Sequence, residues 1–302
     1  MNTGLSIRVR GLTKHAGTTA VVDGVDFDAV PGAVTALVGP PGCGSTPILR
    51  MLLGLVEPTS GTAEIGGRRY HELDRPLLRV GAVLDRPCIH PARSPRDHLR
   101  ILTTAGGVDP RRIGDVLTLT GLGAVADRPA RNLPPELAAR LDLAAALLGD
   151  PGVLVLDSPA RRFDPAGLAW LTGHLREFAA AGGTVLLTGS TLHELGPLPD
   201  RLVLLNGGIC VYRAPIVQLR RTHPDRIMVA SSDPARLATA LAAQALPDAV
   251  VAPDGRLAVA GAQPGQVAVI AASAAVALHS MVPAPTDLDQ VCSGLIRSGV
   301  RC

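Results

Sequence analysis

The sequence predicts an α/β protein, in which a mainly parallel sheet is followed by a smaller α+β unit. Three observations lead to this fold class. Strand-like and helix-like segments alternate over the first part of the chain, which favours parallel strands joined by helices. Val153–Leu156 is a continuous apolar run, as in a strand buried on both faces. The segment after residue 225 has the order β-α-β-β-α-β, which is typical of a ferredoxin-like module.

The elements before residue 220 follow from alternating residues, apolar runs and turns. Pro31-Gly32 marks a turn before a buried strand, and Asn206-Gly207-Gly208 joins two strands as a hairpin. The predicted strands are Ile7–Val9, Val25–Val30, Ala33–Val38, Thr62–Ile65, Val80–Leu84, Val153–Leu156, Thr184–Thr188, Leu202–Leu205 and Ile209–Tyr212. Helices are predicted at Pro47–Leu55 and Gly167–Ala181.

Two boundaries divide the chain. Residues from about 87 to 149 have a helical pattern and are predicted to form a helical subdomain. Composition shifts near Arg220–Pro224, so we assign residues 1–221 to the first domain and 225–302 to an accessory domain. In the accessory domain we expect these strands and helices: Arg226–Ala230, Asp233–Ala243, Val250–Ala252, Leu257–Ala260, Gly265–Ala275, Leu278–Val282 and a last helix from about Thr286.

Composition limits the function classes. The chain has 302 residues with 47% hydrophobic and only 2% aromatic content, so its core is expected to consist mostly of Ala, Val and Leu. A net charge of +3 gives no electrostatic argument for nucleic acid. The five cysteines are scattered, which indicates neither a zinc site nor a disulfide framework. Because no apolar run is long enough for a membrane helix and no signal pattern is seen, a cytoplasmic protein is expected.

A glycine-rich turn separates the predicted strand Ala33–Val38 from the next helix. Such a turn holds phosphate through backbone N–H groups and the positive end of the helix. The phosphate-loop pattern is G-x-x-x-x-G-K-[ST], and the lysine position holds Ser45. The sequence's single lysine is Lys14, in an early loop. The candidate nucleotide-binding residues are Gly39, Pro40, Pro41, Gly42, Cys43, Gly44, Ser45, Thr46 and Asp157.

These motifs resemble the ATP-binding subunit of ATP-binding-cassette (ABC) transporters, most of all the actinobacterial drug or bacitracin exporter type. The resemblance spans roughly residues 7–218 and includes Gly54–Thr62 and Leu147–Pro159. It implies a P-loop NTPase sheet with a helical subdomain, and ATP and Mg²⁺ as cofactors. It also implies a membrane permease as partner, pairing of two ABC domains as a homo- or heterodimer, and a peripheral location at the inner face of the plasma membrane.

The resemblance also assigns metal and catalytic positions. Thr46 and Asp157 match the family's magnesium ligands, and Asp85 is a further candidate. The family's catalytic glutamate is replaced by Ser158, and the histidine that holds the γ-phosphate is replaced by Ser190. No catalytic residue is therefore intact. A register shift could bring His193 into the histidine position, at the expense of the match at Glu194.

Two further family features are altered. The family's signature L-S-G-G-Q contacts the γ-phosphate held by the other subunit, and its counterpart here contains two prolines and an acidic residue, which suit a helix start better than phosphate binding. The aromatic that stacks on adenine falls near Ala16, which offers no ring. The signature-position residues are Leu133, Pro134, Pro135, Glu136 and Leu137.

The sequence therefore leaves three functions open. The first is a degenerate transporter subunit, with weak nucleotide binding and little or no ATP hydrolysis, that associates with a permease for export. The second is a soluble regulatory or binding module that uses the ABC fold without nucleotide. The third is a working ATPase with atypical residues. Fold alone does not choose between them.

Overall fold

The computed structural model describes residues 4–84, 89–244, 246 and 248–298. The chain forms two compact units, one of Met1–Ile216 with Cys292–Cys302 and one of Val217–Val291. The helices are α1 (Ser45–Leu52), α2 (Pro95–Gly106), α3 (Arg112–Leu119), α4 (Pro135–Leu147), α5 (Pro165–Ala180), α6 (Leu192–Leu195), α7 (Ile216–Thr222), α8 (Pro234–Ala243), α9 (Pro264–Ser273) and α10 (Leu288–Ser298).

A six-stranded sheet forms the centre of the first unit. Its order is β5-β6-β7-β3-β8-β9, and every neighbouring pair is parallel except β8 with β9. The strands are β3 (Ala33–Val38), β5 (Val80–Val83), β6 (Val153–Leu156), β7 (Thr184–Gly189), β8 (Arg201–Asn206) and β9 (Ile209–Pro215). Because β3, β6 and β7 run parallel, the residues that follow them lie at one edge of the sheet.

A second, antiparallel sheet packs near the first. It has the order β2-β1-β4, with β1 (Ile7–Ala16), β2 (Thr19–Ala29) and β4 (Ser60–Ile65). Helix α1 lies in the core shared by the two sheets, where Ile48 and Leu49 pack in one cluster with Phe27 and Leu186. The start of α1, and the loop before it, are therefore held by apolar contacts on both sides.

The helices α2, α3 and α4 have a core of their own. Leu99, Val116, Leu122 and Leu141 are fully or almost fully buried in it. Helix α2 begins at a Ser94 cap, whose hydroxyl accepts from the Asp97 N–H, and it ends at Gly107 in the left-handed region. This separate core explains why a long helical stretch can interrupt the parallel sheet between β5 and β6.

The second unit has a four-stranded antiparallel sheet covered by two helices. The strands β10 (Arg226–Ser231), β11 (Ala249–Val251), β12 (Leu257–Ala260) and β13 (Leu278–Ala284) are arranged β11-β12-β10-β13. Leu237 and Leu241 of α8 and Val267 of α9 are fully buried against the sheet. This is the ferredoxin-like arrangement that the element order predicts.

Some element boundaries differ from the sequence-based expectation. The strand predicted at Ile7–Val9 continues to Ala16, because β2 pairs with it as a hairpin with register shifts. Helix α1 begins two residues before Pro47, at Ser45, and ends at Leu52. Proline fits the first helical turn, where its missing N–H costs no hydrogen bond. Among the described residues, no helix is long and apolar enough to cross a membrane.

The packing of α1 makes a prediction about stability. Leu49→Ala, at a fully buried position, should lower the free energy of unfolding by about 2–5 kcal/mol. Leu55→Ala is the matched control, since Leu55 lies just beyond the same helix and is 60% exposed; it should change stability by at most about 0.5 kcal/mol. Urea unfolding measures both, and equal losses in the two variants would show that α1 is not packed as described.

Candidate functional site

The loop between β3 and α1 keeps the shape of a phosphate loop. Gly44 caps α1 with φ 100°, in the left-handed region that favours glycine. A Cβ on Gly39 would lie 2.2 Å from the Leu205 carbonyl oxygen and 2.9 Å from Cys43 Sγ, so only glycine fits there. The Cys43 N–H donates to the Pro40 carbonyl at 2.9 Å and closes the turn. The backbone of the loop is therefore fixed by steric fit as well as by conformation.

The loop carries no lysine at its cation position. Ser45 is the first residue of α1 and is half-buried. Lys14 is held elsewhere, since its Nζ donates to the Glu57 carbonyl at 2.6 Å. Arg50 is exposed in the last turn of α1. Pro40, Pro41 and Gly42 form the exposed tip, and two of these three residues have no N–H to offer.

Asp157, directly after β6, is hydrogen-bonded to α1 and to β7. Its carboxylate is 2% exposed and accepts hydrogen bonds from two hydroxyls, Thr46 Oγ1 at 2.9 Å and Thr188 Oγ1 at 2.7 Å. We call the region formed by Gly39–Thr46, Asp157–Ser158 and Thr188–Ser190 the carboxyl edge. A threonine hydroxyl beside a carboxylate is a donor set that suits Mg²⁺, so these two side chains fit the implied metal.

Ser158 lies beside Asp157 but offers no carboxylate. Its backbone has φ 47°, and its N–H donates to Thr188 Oγ1 at 2.8 Å. The two hydroxyl oxygens of Ser158 and Thr188 are 3.4 Å apart. A serine hydroxyl stays protonated at neutral pH and does not act as a general base. Ser158 is therefore held in the carboxyl edge and presents a neutral hydroxyl there.

Ser190 follows β7, next to the loop. The Gly39 N–H donates to the Gly189 carbonyl at 3.3 Å, which places Ser190 beside the first loop residue. The Ser190 N–H donates to Glu194 Oε2 at 3.0 Å, and its hydroxyl accepts from Arg161 Nη2 at 2.7 Å. At the start of helix α6, the Thr191 side chain accepts a hydrogen bond from the Glu194 N–H. Ser190 is therefore held in place by both Glu194 and Arg161.

The signature-position residues form the start of α4. Pro134 is the cap and Pro135 the first helical residue, so neither supplies an N–H to a phosphate. Leu133 precedes the cap, and Glu136 and Leu137 lie in the first turn of the helix. Proline at the first helical position is favourable, because that N–H would have no helical partner.

Glu136 forms an ion pair with Arg140 on the same helix. Arg140 donates to Glu136 Oε1 through Nε at 3.0 Å and Nη2 at 2.7 Å. The Arg140 guanidinium lies 4.1 Å from the centroid of the Trp170 ring on α5, and Trp170 contacts Phe163 and His174. The first turn of α4 is therefore tied to α5 by an ion pair and a cation–π contact.

Ala16, which the resemblance places at the aromatic that stacks on adenine, lies at the end of β1. Ala16 ends β1 at an exposed hairpin, where it pairs with Thr19, and His15 beside it is exposed. No aromatic ring stands at that position. Asp85, the further metal candidate, lies outside the described residues. Elsewhere in the described part of the chain, no cluster of three His, Cys, Asp or Glu side chains could hold a metal ion.

A groove lies between β5 and the helices α2 and α4. It encloses about 360 Å³ and is lined mainly by apolar side chains, with His98 and Asp142 among the polar ones. Burial lowers the pKa of His98, and burial raises the pKa of Asp142 while the ion pair with Arg162 opposes that rise. The groove therefore combines an apolar lining with the ionisable side chains of His98 and Asp142.

Sequence reasoning missed three contributors to this site. The sequence pattern does not single out Thr188, although its hydroxyl connects Asp157 to Ser158. The resemblance implies small residues where this chain has Arg161-Arg162, before Phe163-Asp164-Pro165. Nothing in the sequence alone shows that Arg161 contacts Ser190. The guanidinium of Arg140 lies over the ring of Trp170, and we call this contact the clamp. It joins residues 30 positions apart in the sequence, so no local pattern reveals it. The unusual Arg161-Arg162 pair marks this segment, but it does not indicate Ser190 as the partner.

The clamp makes a testable prediction. Arg140→Met keeps the apolar stem but removes the ion pair and the cation–π contact, so it should lower the free energy of unfolding by about 1–2 kcal/mol. Trp170 is the only tryptophan of the chain, so its fluorescence reports unfolding in urea. Arg128→Met, at an exposed position before α4, is the control and should leave stability within about 0.5 kcal/mol. Equal stability of the two variants would contradict the clamp.

Comparisons with known proteins agree on one family. A family model described as ABC transporter matches residues 22–161, and one described as a domain of unknown function matches residues 225–289. The chain is 30% identical to the lantibiotic transport ATP-binding protein SrtF of Streptococcus pyogenes over 194 residues, which are 64% of this chain and 84% of that protein. It is also 30% identical to the daunorubicin resistance ATP-binding protein DrrA3 of Streptomyces coeruleorubidus over 261 residues, 83% of this chain and 82% of that protein.

Solved structures share the fold. The ATP-binding subunit of an ABC transporter aligns with a TM-score of 0.65 at 22% identity, over 72% of this chain and 92% of that one. A bacterial ABC transporter cassette solved as a dimer aligns with a TM-score of 0.63 at 18% identity, over 70% of this chain and 98% of that one. These structures agree with the loop, with the hydrogen bonds of Asp157 and with the sequence relatives. The chain belongs to the ATP-binding subunits of ABC transporters.

Proposed function

We propose that this chain is an export-type ABC subunit that has kept the nucleotide-binding frame but lost turnover. The observation that carries the proposal is the carboxyl edge, where three serines stand at the family's lysine, glutamate and histidine positions: Ser45, Ser158 and Ser190. Nucleotide binding is then weak, and ATP hydrolysis is slight or absent.

The weak binding follows from charge. The β- and γ-phosphates of ATP carry several negative charges, and the loop lysine of P-loop enzymes neutralises part of them. Ser45 offers a neutral hydroxyl, and Pro41 removes a backbone donor from the loop. Ala16 adds no stacking on adenine, which is worth about 1–3 kcal/mol per base where an aromatic is present. The loop shape and the Thr46–Asp157 pair remain to hold phosphate and Mg²⁺.

The loss of hydrolysis follows from the missing base. Water attack on a γ-phosphate needs a positioned group to orient the nucleophile. Ser158 is held by backbone and hydroxyl contacts with Thr188 and has no carboxylate. Removing one catalytic group commonly lowers the rate by orders of magnitude. The losses are not additive for groups that act together, so one missing group can remove most of the activity.

The altered signature limits what the chain can give a second ABC domain. In a homo- or heterodimer the signature of one subunit contacts the nucleotide of the other. Here Pro134 and Pro135 lack the donors, and Glu136 is engaged by Arg140. The chain can still pair with another ABC domain through surfaces outside the signature, in a symmetric or asymmetric dimer.

Association with a membrane permease is the second part of the proposal. Two relatives are named for lantibiotic transport and daunorubicin resistance, and the fold is that of a transporter subunit. The apolar groove beside β5 offers a surface on which a permease segment can dock. The chain then works in the cytoplasm, peripheral to the inner face of the plasma membrane.

A second candidate is a soluble module that works without nucleotide. The clamp of Arg140 on Trp170 favours it, because it holds the signature segment against its own subunit. Purification with the permease encoded nearest to this gene separates the two: stable co-purification supports the transporter subunit, and a lone chain supports the module.

The proposed loss at Ser45 predicts a gain on repair. Titration calorimetry of the wild-type chain with Mg·ATP should show no micromolar affinity. Ser45→Lys restores a cation to a loop whose backbone is in place, and it should strengthen Mg·ATP binding at least about tenfold, equivalent to about 1.4 kcal/mol.

Ser6→Lys is the matched control, since it adds the same charge at an exposed serine outside the loop. It should leave the affinity unchanged. Micromolar binding by the wild-type chain would contradict the proposal. An unchanged affinity in Ser45→Lys would mean that the lysine position is not what limits binding.

A further inference from the structure

Arg161 lies across the carboxyl edge, in the 3-10 helix Pro159–Arg162 that follows β6. Its Nη2 donates to Ser190 Oγ at 2.7 Å, so the guanidinium reaches from the end of β6 to the end of β7. Ser190 in turn sits beside Gly39, whose N–H donates to the Gly189 carbonyl. A positive charge is therefore held at Ser190, the residue that follows the strand end bonded to Gly39.

Compared with the family pattern, the long and the short side chain have changed places at Arg161 and Ser190. The family has a small residue at the position of Arg161 and a histidine at that of Ser190. Here the long side chain lies in the 3-10 helix after β6, and the short one follows β7. The guanidinium thus ends beside the hydroxyl of the residue that replaces the imidazole.

The guanidinium has donors to spare. Its side chain is 56% exposed, and the described contacts use one of its five N–H groups for a hydrogen bond. Its charge partner is Glu194, whose Oε1 lies 3.9 Å from Arg161 Nε and is buried without a hydrogen-bond partner among the described residues. Glu194 and Ser190 therefore hold the guanidinium, and more than half of the arginine side chain stays exposed.

We propose that Arg161 is a ligand for the terminal phosphate of a nucleoside triphosphate, in the position that the family's histidine holds. Guanidinium binds phosphate oxygens through paired N–H donors, more specifically than an ammonium group. The inference rests on the proposed function, because it concerns the same site. It adds that the weak binding is selective for a triphosphate over a diphosphate, since only the former places a phosphate next to Ser190.

The test is calorimetry with Mg·ATP and Mg·ADP as probes, on the full chain carrying Ser45→Lys so that binding is measurable. Arg161→Gln in this background should weaken Mg·ATP binding about tenfold and leave Mg·ADP binding within about twofold. Arg50→Gln is the matched control, because it removes one charge from an exposed position on α1 and should change neither affinity.

A swap variant adds a second readout. Arg161→Ser combined with Ser190→His returns the pair to the family pattern and should recover the preference for Mg·ATP over Mg·ADP that Arg161→Gln loses. Recovery separates a terminal-phosphate contact from a loss of folding, which would weaken both nucleotides equally.

Three outcomes would overturn the inference, and one would overturn only the proposed function. An unchanged ratio of Mg·ATP to Mg·ADP affinity in Arg161→Gln would show that Arg161 does not contact the terminal phosphate, and so would equal weakening of the two. Absence of nucleotide binding in the Ser45→Lys chain would do the same, while it would leave the proposed lack of turnover in place. Steady phosphate release by the wild-type chain would contradict the proposed function alone.

Discussion

The buried carboxylate of Asp157 is the interaction on which the site depends. Its two oxygens accept from Thr46 and Thr188, so one side chain ties α1, β6 and β7 together. A buried carboxylate must be hydrogen-bonded or paired, because an unpaired charge away from water is very costly. The two hydroxyls meet this need here, and they keep the loop, the position of Ser158 and the position of Ser190 in register.

In the proposed function, the frame of the site is kept while its chemistry is lost. The frame depends on glycine fit, hydroxyl contacts and apolar packing around α1, all of which persist without nucleotide. In the proposed function, the chemistry depends on charged groups at the loop and after two strands, where this chain has Ser45, Ser158 and Ser190. Two arginines make contacts of their own, Arg161 with Ser190 and Arg140 with Trp170. These contacts join segments within the subunit.

Local patterns in the sequence were enough to predict the parallel sheet, the loop and the ferredoxin-like order of the second unit. Glycine at position 39 and the apolar run before Asp157 are short-range signals with one good structural solution. The partners of Arg161, Thr188 and Arg140 could not be predicted, because they depend on which strand ends meet and how side chains reach across them. The end of β1 was also missed, since its extension depends on pairing with β2.

The most direct test of the central claim is the steady rate of phosphate release from Mg·ATP, measured for the wild-type chain beside its Asp157→Asn variant. The amide of the variant lacks the charge that a magnesium ion needs, so this variant defines the rate without metal-dependent turnover. The account predicts that the two rates are equal and at the level of buffer alone. Steady release by the wild-type chain above that of the variant would contradict it.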